Sequence, residues 1–194
     1  MDVRHVQLDD GAGQDGQRIA EAGTADLALG FIPDLEASFY RQTFYEQDWV
    51  CLAHPNHPRI RAGDFGLRDY IREDHAGIVS GTGAQLLDGT IKRLGFERRV
   101  VLGLPGFLGL PAILSTTDLV AILPRHIGET LAGIGGLRVL PCPVPVPGFS
   151  VRQHWHARFH QEAGNRWLRG ICAELFLRAG RSGEGAGAAG PACA

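Results

Sequence analysis

AGIVSGTGAQLLDGTIKRLGFERRVVLGLPGFLGLPAILSTTDLVAILP, residues 76–124, decides how this chain folds. It opens on an apolar run at 76–80, passes a glycine-rich turn (Gly81, Thr82, Gly83) and continues as an amphipathic helix that stops at Gly95. A second strand-like run (98–104), a turn and helix punctuated by proline and glycine (105–117) and a third run (119–123) follow. Strands separated by helical periods of this length predict βαβ units on a mostly parallel sheet with right-handed crossovers. In such a sheet the strand ends and helix starts gather along one edge, where ligands bind. The candidate site therefore begins at Ser80, Gly81, Thr82 and Gly83 and at Pro105, Gly106 and Phe107.

On the N-terminal side, Val3, Val6 and Leu8 suggest a short strand, and 10–23 a helix weakened by its glycines. A compact buried strand is expected at 25–31, followed by strand-like runs at 39–46 and 49–54 joined by a tight turn near Gln47 and Asp48. The prolines of His54-Pro-Asn-His-Pro58 break regular structure, and 66–72 reads as a connection into a second lobe. On the C-terminal side, Pro124 opens a helix over 124–132 that Gly133, Gly135 and Gly136 stop, and a strand follows at 137–140. Pro141, Pro143, Pro145 and Pro147 stiffen an extended crossing back to the first lobe. A half-exposed strand is expected at 149–155. The last helix has Asn165 as N-cap, with Trp167, Ile171 and Leu175 beside Leu168, Cys172 and Phe176 as its apolar face. Arg166, Arg169 and Arg178 read as its solvated side. The expected organisation is one lobe from 1–64 plus 149–179, a second from 65–148, and a disordered tail at 180–194.

The 194 residues are 44% hydrophobic, enough for a real core, and carry a formal net charge of -2. No run of Lys or Arg tracks a phosphate backbone, so direct nucleic-acid binding is not expected. Cys51, Cys142, Cys172 and Cys193 form no CxxC pair and read as reduced thiols, which, with no leader-like start, predicts a cytoplasmic protein. The longest apolar run, 100–114, is broken by Pro105 and Pro111 and is too short to span a bilayer. His54, His57, His154, His156 and His160 lack metal-ligand spacing, and no GxSxG surrounds any serine. Neither metal nor other cofactor is expected, and no enzyme.

Several of these pieces fall together in one order: ADLALGF at 25–31, DWVCLAHPNHP at 48–58, HAGIVSGTG at 75–83, the Pro-Gly-Phe turn at 105–107, TDLVAILP at 117–124 and QHWHARFHQEAGNRWLRGICAELF at 153–176. In order and spacing they resemble the effector-binding domain of LysR-type transcriptional regulators. The likeness is to the subgroup that responds to aromatic acids. It implies an α/β, two-lobed periplasmic-binding-protein-like (type 2) fold with mixed, mostly parallel sheets and a small effector bound between the lobes. The two crossings would fall near 54–64 and 141–149. The resemblance further implies a homodimer or an assembly with a full-length relative, and no membrane role. Family members begin with a helix-turn-helix arm, a linker helix and one more strand and helix of the effector domain, none of which this sequence matches. The chain is therefore expected to be a truncated regulator without DNA contact of its own, whose segment 3–8 has lost its sheet neighbour and leaves that edge exposed.

Under this resemblance the site takes Gly81-Thr82-Gly83 as a carboxylate holder, since a helix start favours anions. Against it stands a plain strand-to-helix turn. GTGAQL is a poor dinucleotide fingerprint, because Leu86 replaces the third glycine. Phe107 is either a cleft aromatic or core; Gly106 stands where related aromatic-acid responders carry a polar residue. His75 is a candidate donor to an acid, or a surface histidine. Gly30 and Phe31 would line the facing turn. Two other readings remain: an interaction-only remnant whose cleft is packed shut, and an enzyme on the same scaffold.

Overall fold

The computed structural model describes residues 7–8, 25–33, 38–61 and 65–183. The helix expected at 10–23 and Cys193 lie outside them. The described residues form two compact units: one spans those between Gln47 and Phe149, and the other the described residues before Gln47 together with those from Ser150 on.

The core of the Gln47–Phe149 unit is built on β4 (Trp49–Ala53), every residue of which is buried. Side chains alternate across a strand. Trp49, Cys51 and Ala53 therefore join Leu87, Ile91, Ile122 and Leu140 on one face, while Leu52 joins Leu110, Leu123, Leu131 and Ala132 on the other. β4 pairs antiparallel with β7 (Ala121–Pro124) and with β8 (Arg138–Pro141). β5 (Asp74–Ile78) runs parallel to β6 (Arg99–Leu104). A parallel bridge from His75 to Val120, with Ala76 N–H donating to the Val120 carbonyl at 3.0 Å, joins β5 to the start of β7. One face is covered by α2 (Thr82–Leu94) and the other by α3 (Leu110–Leu114) and α4 (Arg125–Gly135).

The sheets are mixed, as expected: β5 and β6 run parallel, whereas both partners of β4 run against it. Several other expectations are corrected here. Residues 67–72 form a helix, α1 (Leu67–Arg72), with fully buried Tyr70 facing the core. α4 runs through Gly133 and ends only at Gly136, which takes the left-handed conformation (φ 61°) that a helix end favours. The first crossing is at Gln47, not 54–64. The proline segment folds into the second unit because its backbone finds partners. His57 Nδ1 accepts from the N–H of Arg59 and Ile60 at 3.3 and 3.2 Å, which leaves its ring proton on Nε2 for the Asp118 carbonyl at 2.8 Å. Arg59 reaches the buried Glu73 carboxylate with Nε at 2.9 Å and a terminal nitrogen at 2.7 Å. Burial pushes the Glu73 pKa up, but the Arg59 hydrogen bonds and charge hold it below its ordinary value.

The other unit has a four-stranded sheet in the order β1 (Gln7–Leu8), β2 (Ala28–Gly30), β9 (Phe149–His156), β3 (Phe39–Gln47). β1 pairs in parallel with β2 through Gln7 and Leu8, so this part of the N-terminal strand does have a sheet neighbour. β3 and β4 enter different sheets, so no hairpin forms at Gln47 and Asp48. α5 (Ala163–Gly183) packs Leu168, Cys172 and Phe176 against Leu27, Leu29, Phe44 and Trp155. Its backbone stays helical to Gly183, past the point where the tail was expected to begin. Asn165 is not the N-cap: it lies buried inside the first turn and donates from Nδ2 to the Asp26 carbonyl at 2.6 Å. Nor is Arg169 a solvated residue. Its guanidinium lies 4.1 Å from the Trp155 ring centre and donates to the His160 carbonyl at 3.0 Å.

Candidate functional site

A cavity of about 150 Å³ lies within the Gln47–Phe149 unit, where β5, α2 and the turn after β6 converge. Its rim contains Ser80, Gly81, Thr82, Gly83, Pro105, Gly106 and Phe107, seven of the ten residues singled out in the sequence. Gly81 takes φ 95°, a conformation that side chains rarely adopt, and this bend turns the end of β5 into α2. The first bond of α2 is from Gln85 N–H to the Gly81 carbonyl at 3.1 Å, so the amides that precede it stand at the positive end of the helix. Ser80 Oγ–H donates to the Pro105 carbonyl at 2.9 Å and ties the two turns together. Phe107 is half-buried; it packs on the second core cluster and also borders the cavity, so the two roles considered for it coincide.

Sequence reading missed much of the wall. Trp49, 6% exposed, forms one side, fixed by a hydrogen bond from Nε1 to the Pro147 carbonyl at 3.0 Å and by tilted contact with Phe149, ring centres 5.5 Å apart. Gly83 lies beside it: a Cβ there would make ordinary van der Waals contact with the Trp49 ring at 3.6 Å. Leu87, Ile122 and Ile127 add apolar surface, and Arg98 contributes a guanidinium. Trp49 and Phe149 could have been found only by knowing that β4 and the end of the proline segment meet beside α2. Arg98 carried no signal, standing as one arginine among several.

Three predicted residues lie elsewhere. His75 does not border the cavity: it is fully buried on β5, with Nε2 2.7 Å from the Tyr70 carbonyl. Burial lowers its pKa and favours the neutral ring, which suits a core histidine and not a charge partner for an acid. Gly30, at the end of β2 opposite Arg152, and Phe31 belong to the other unit. Among the described residues no group of three or more His, Cys, Asp or Glu side chains could hold a metal ion. The described thiols Cys51, Cys142 and Cys172 are free. No described helix is long and apolar enough to cross a membrane.

Residues 5–177 match the family model of the LysR substrate binding domain. The chain belongs to that family. This LysR substrate-binding domain is 33% identical over 160 residues to the HTH-type transcriptional activator NagR of a Ralstonia species, covering 82% of the chain and 53% of NagR. It is also 33% identical over 155 residues to the HTH-type transcriptional activator NahR of Pseudomonas putida, covering 79% and 51%. The chain thus spans about half the length of the curated relatives it matches. Among solved structures, the regulatory domain of MexT, a transcriptional activator in Pseudomonas aeruginosa, superposes with a TM-score of 0.68 at 25% identity, covering 82% of this chain and 76% of that one. The fold is the type 2 periplasmic-binding-protein-like one. These relatives are named as transcriptional regulators, not enzymes, and LysR regulators bind small-molecule effectors and typically form oligomers.

Proposed function

We propose that this LysR substrate-binding domain senses a small organic acid with an aromatic or compact apolar body, held in the Trp49–Phe107 cavity. The observation that carries the reading is the pairing of chemistries in one enclosure. Ring and aliphatic walls (Trp49, Phe107, Phe149, Ile127) surround the positive end of α2, and about 150 Å³ suits a single-ring molecule. The enclosure within the Gln47–Phe149 unit supports sensing over an interaction-only remnant, which would need no such space. By analogy with the relatives' names, ligand binding biases the conformation of a transcriptional activator in the cytoplasm, with DNA contact made by parts other than this domain. The domain works in an assembly with a second copy or a longer relative, and the ligand acts only through its differential affinity for two states.

A thermal-shift titration with benzoate, phenylacetate and short aliphatic carboxylates tests this, beside Thr82→Ala and Phe107→Ala. A ligand at 100 times its dissociation constant stabilises the fold by roughly 2.7 kcal/mol. The expected result is protection by ring-bearing acids that both variants weaken. Equal protection of wild type and variants would place the ligand outside this cavity, and no protection by any acid would overturn the sensing reading.

A further inference from the structure

Arg98 stands where two hollows of the Gln47–Phe149 unit meet. It borders the candidate cavity and also an outer groove of about 550 Å³ between α2 and β6, lined among others by Asp88, Ile91 and Phe96. Among the described residues no other belongs to both linings. Its side chain is 7% exposed and passes close to β5, with a terminal nitrogen 3.9 Å from where a Cβ on Gly77 would lie. The Arg98 charge also acts on the fully buried Tyr70 hydroxyl, and His75 is kept neutral chiefly by burial, with the Arg98 charge adding to that effect.

The ion pair that holds Arg98 is with Asp88 on α2, at 2.8 Å to Oδ1. Asp88 is 63% exposed, so water competes for its carboxylate and the pair is a weak anchor for a buried guanidinium. A guanidinium has five donors in a planar fork that matches a carboxylate in two-point contact. An acid entering the apolar cavity is shielded from water and meets this fork on better terms than Asp88 does.

We propose that Arg98 is the specificity-determining residue of the cavity: it receives the ligand's acidic group and gives up Asp88 in exchange, so that occupancy is passed to the outer face of α2. This rests on the reading of the cavity as a ligand site. The start of α2 contributes a favourable field, and Arg98 provides the charge partner.

The test is isothermal titration of the whole chain with benzoate and with benzyl alcohol, a neutral probe with the same ring. Wild type is expected to prefer benzoate by about tenfold, the worth of one charge-assisted contact of about 1.4 kcal/mol. Arg98→Met abolishes the preference by weakening benzoate to the level of benzyl alcohol, whereas Arg98→Lys keeps part of it. Asp88→Asn, which releases Arg98 without touching the cavity, tightens benzoate severalfold and has no effect on benzyl alcohol. A benzoate preference that survives Arg98→Met would overturn the assignment, as would loss of both probes together in a variant that still melts cooperatively. Unchanged or weaker benzoate binding in Asp88→Asn would overturn the exchange. If benzyl alcohol binds and benzoate is not preferred, the cavity stands and the role of Arg98 falls; if neither binds, both fall.

Discussion

His154 lies on β9 with 3% of its surface exposed, and its Nε2 has no hydrogen-bond partner. Burial, with the charges of Arg152 and Arg41, lowers its pKa to about 4. Above the unfolded value of about 6.5 both states are neutral and pH does not matter. As the pH falls from there toward 4, the unfolded chain takes up a proton that the folded chain refuses, so stability drops, and below 4 the loss levels off. The difference corresponds to about 3 kcal/mol. His75, whose pKa burial also lowers, adds in the same direction. Urea unfolding should therefore show a midpoint that falls between pH 6.5 and 4.5, and His154→Gln should flatten that slope. An unchanged slope would mean that another group takes up the proton. Nothing in the spacing of His154, His156 and His160 foretold this difference, because burial of a ring is set by what packs on the strand, not by its neighbours in sequence.

At the scale of the element, α4 shows how one helix face is fixed by a single small residue. A Cβ on Gly128 would stand 2.5 Å from Val50 Cγ2, so α4 can approach β4 this closely only without a side chain there. Gly133, in the same helix, has nothing within 4 Å of that point. The two glycines therefore respond with opposite sign. Gly128→Ala gains helix propensity of up to about 1 kcal/mol but forces overpacking of about 1–3 kcal/mol, a net loss. Gly133→Ala keeps the gain and should raise the melting temperature. Equal shifts in the two variants would show that α4 does not rest on Val50. The last helix makes the converse point. Its four-residue spacing was legible, but Trp167, Ile171 and Leu175 are exposed, Leu175 at 65%, while the adjacent row of Leu168, Cys172 and Phe176 is packed. Two neighbouring apolar rows share one period, and only the sheet beneath chooses between them.

For the whole molecule, the division at Gln47 and Phe149 places the cavity wholly in one unit, so ligand binding is expected to protect that unit first. Amide exchange with and without benzoate should slow over 76–84 and 98–107 and leave 39–46 unchanged. Slowing confined to 39–46 would place the ligand elsewhere. The alternation of strands and helices over 76–124, the residues that come to rim the cavity and the family were legible from residue order alone, because periodicity, glycine turns and motif order are local properties. Long-range packing settled which partners β4 takes, that 47–61 belongs to the second unit, that His75 is core, and that Trp49, Arg98 and Phe149 complete the wall. Each of these depends on contacts between residues far apart in the chain, such as Trp49 with Pro147 or Arg98 with Asp88, and their energies exist only once the strands have found their neighbours.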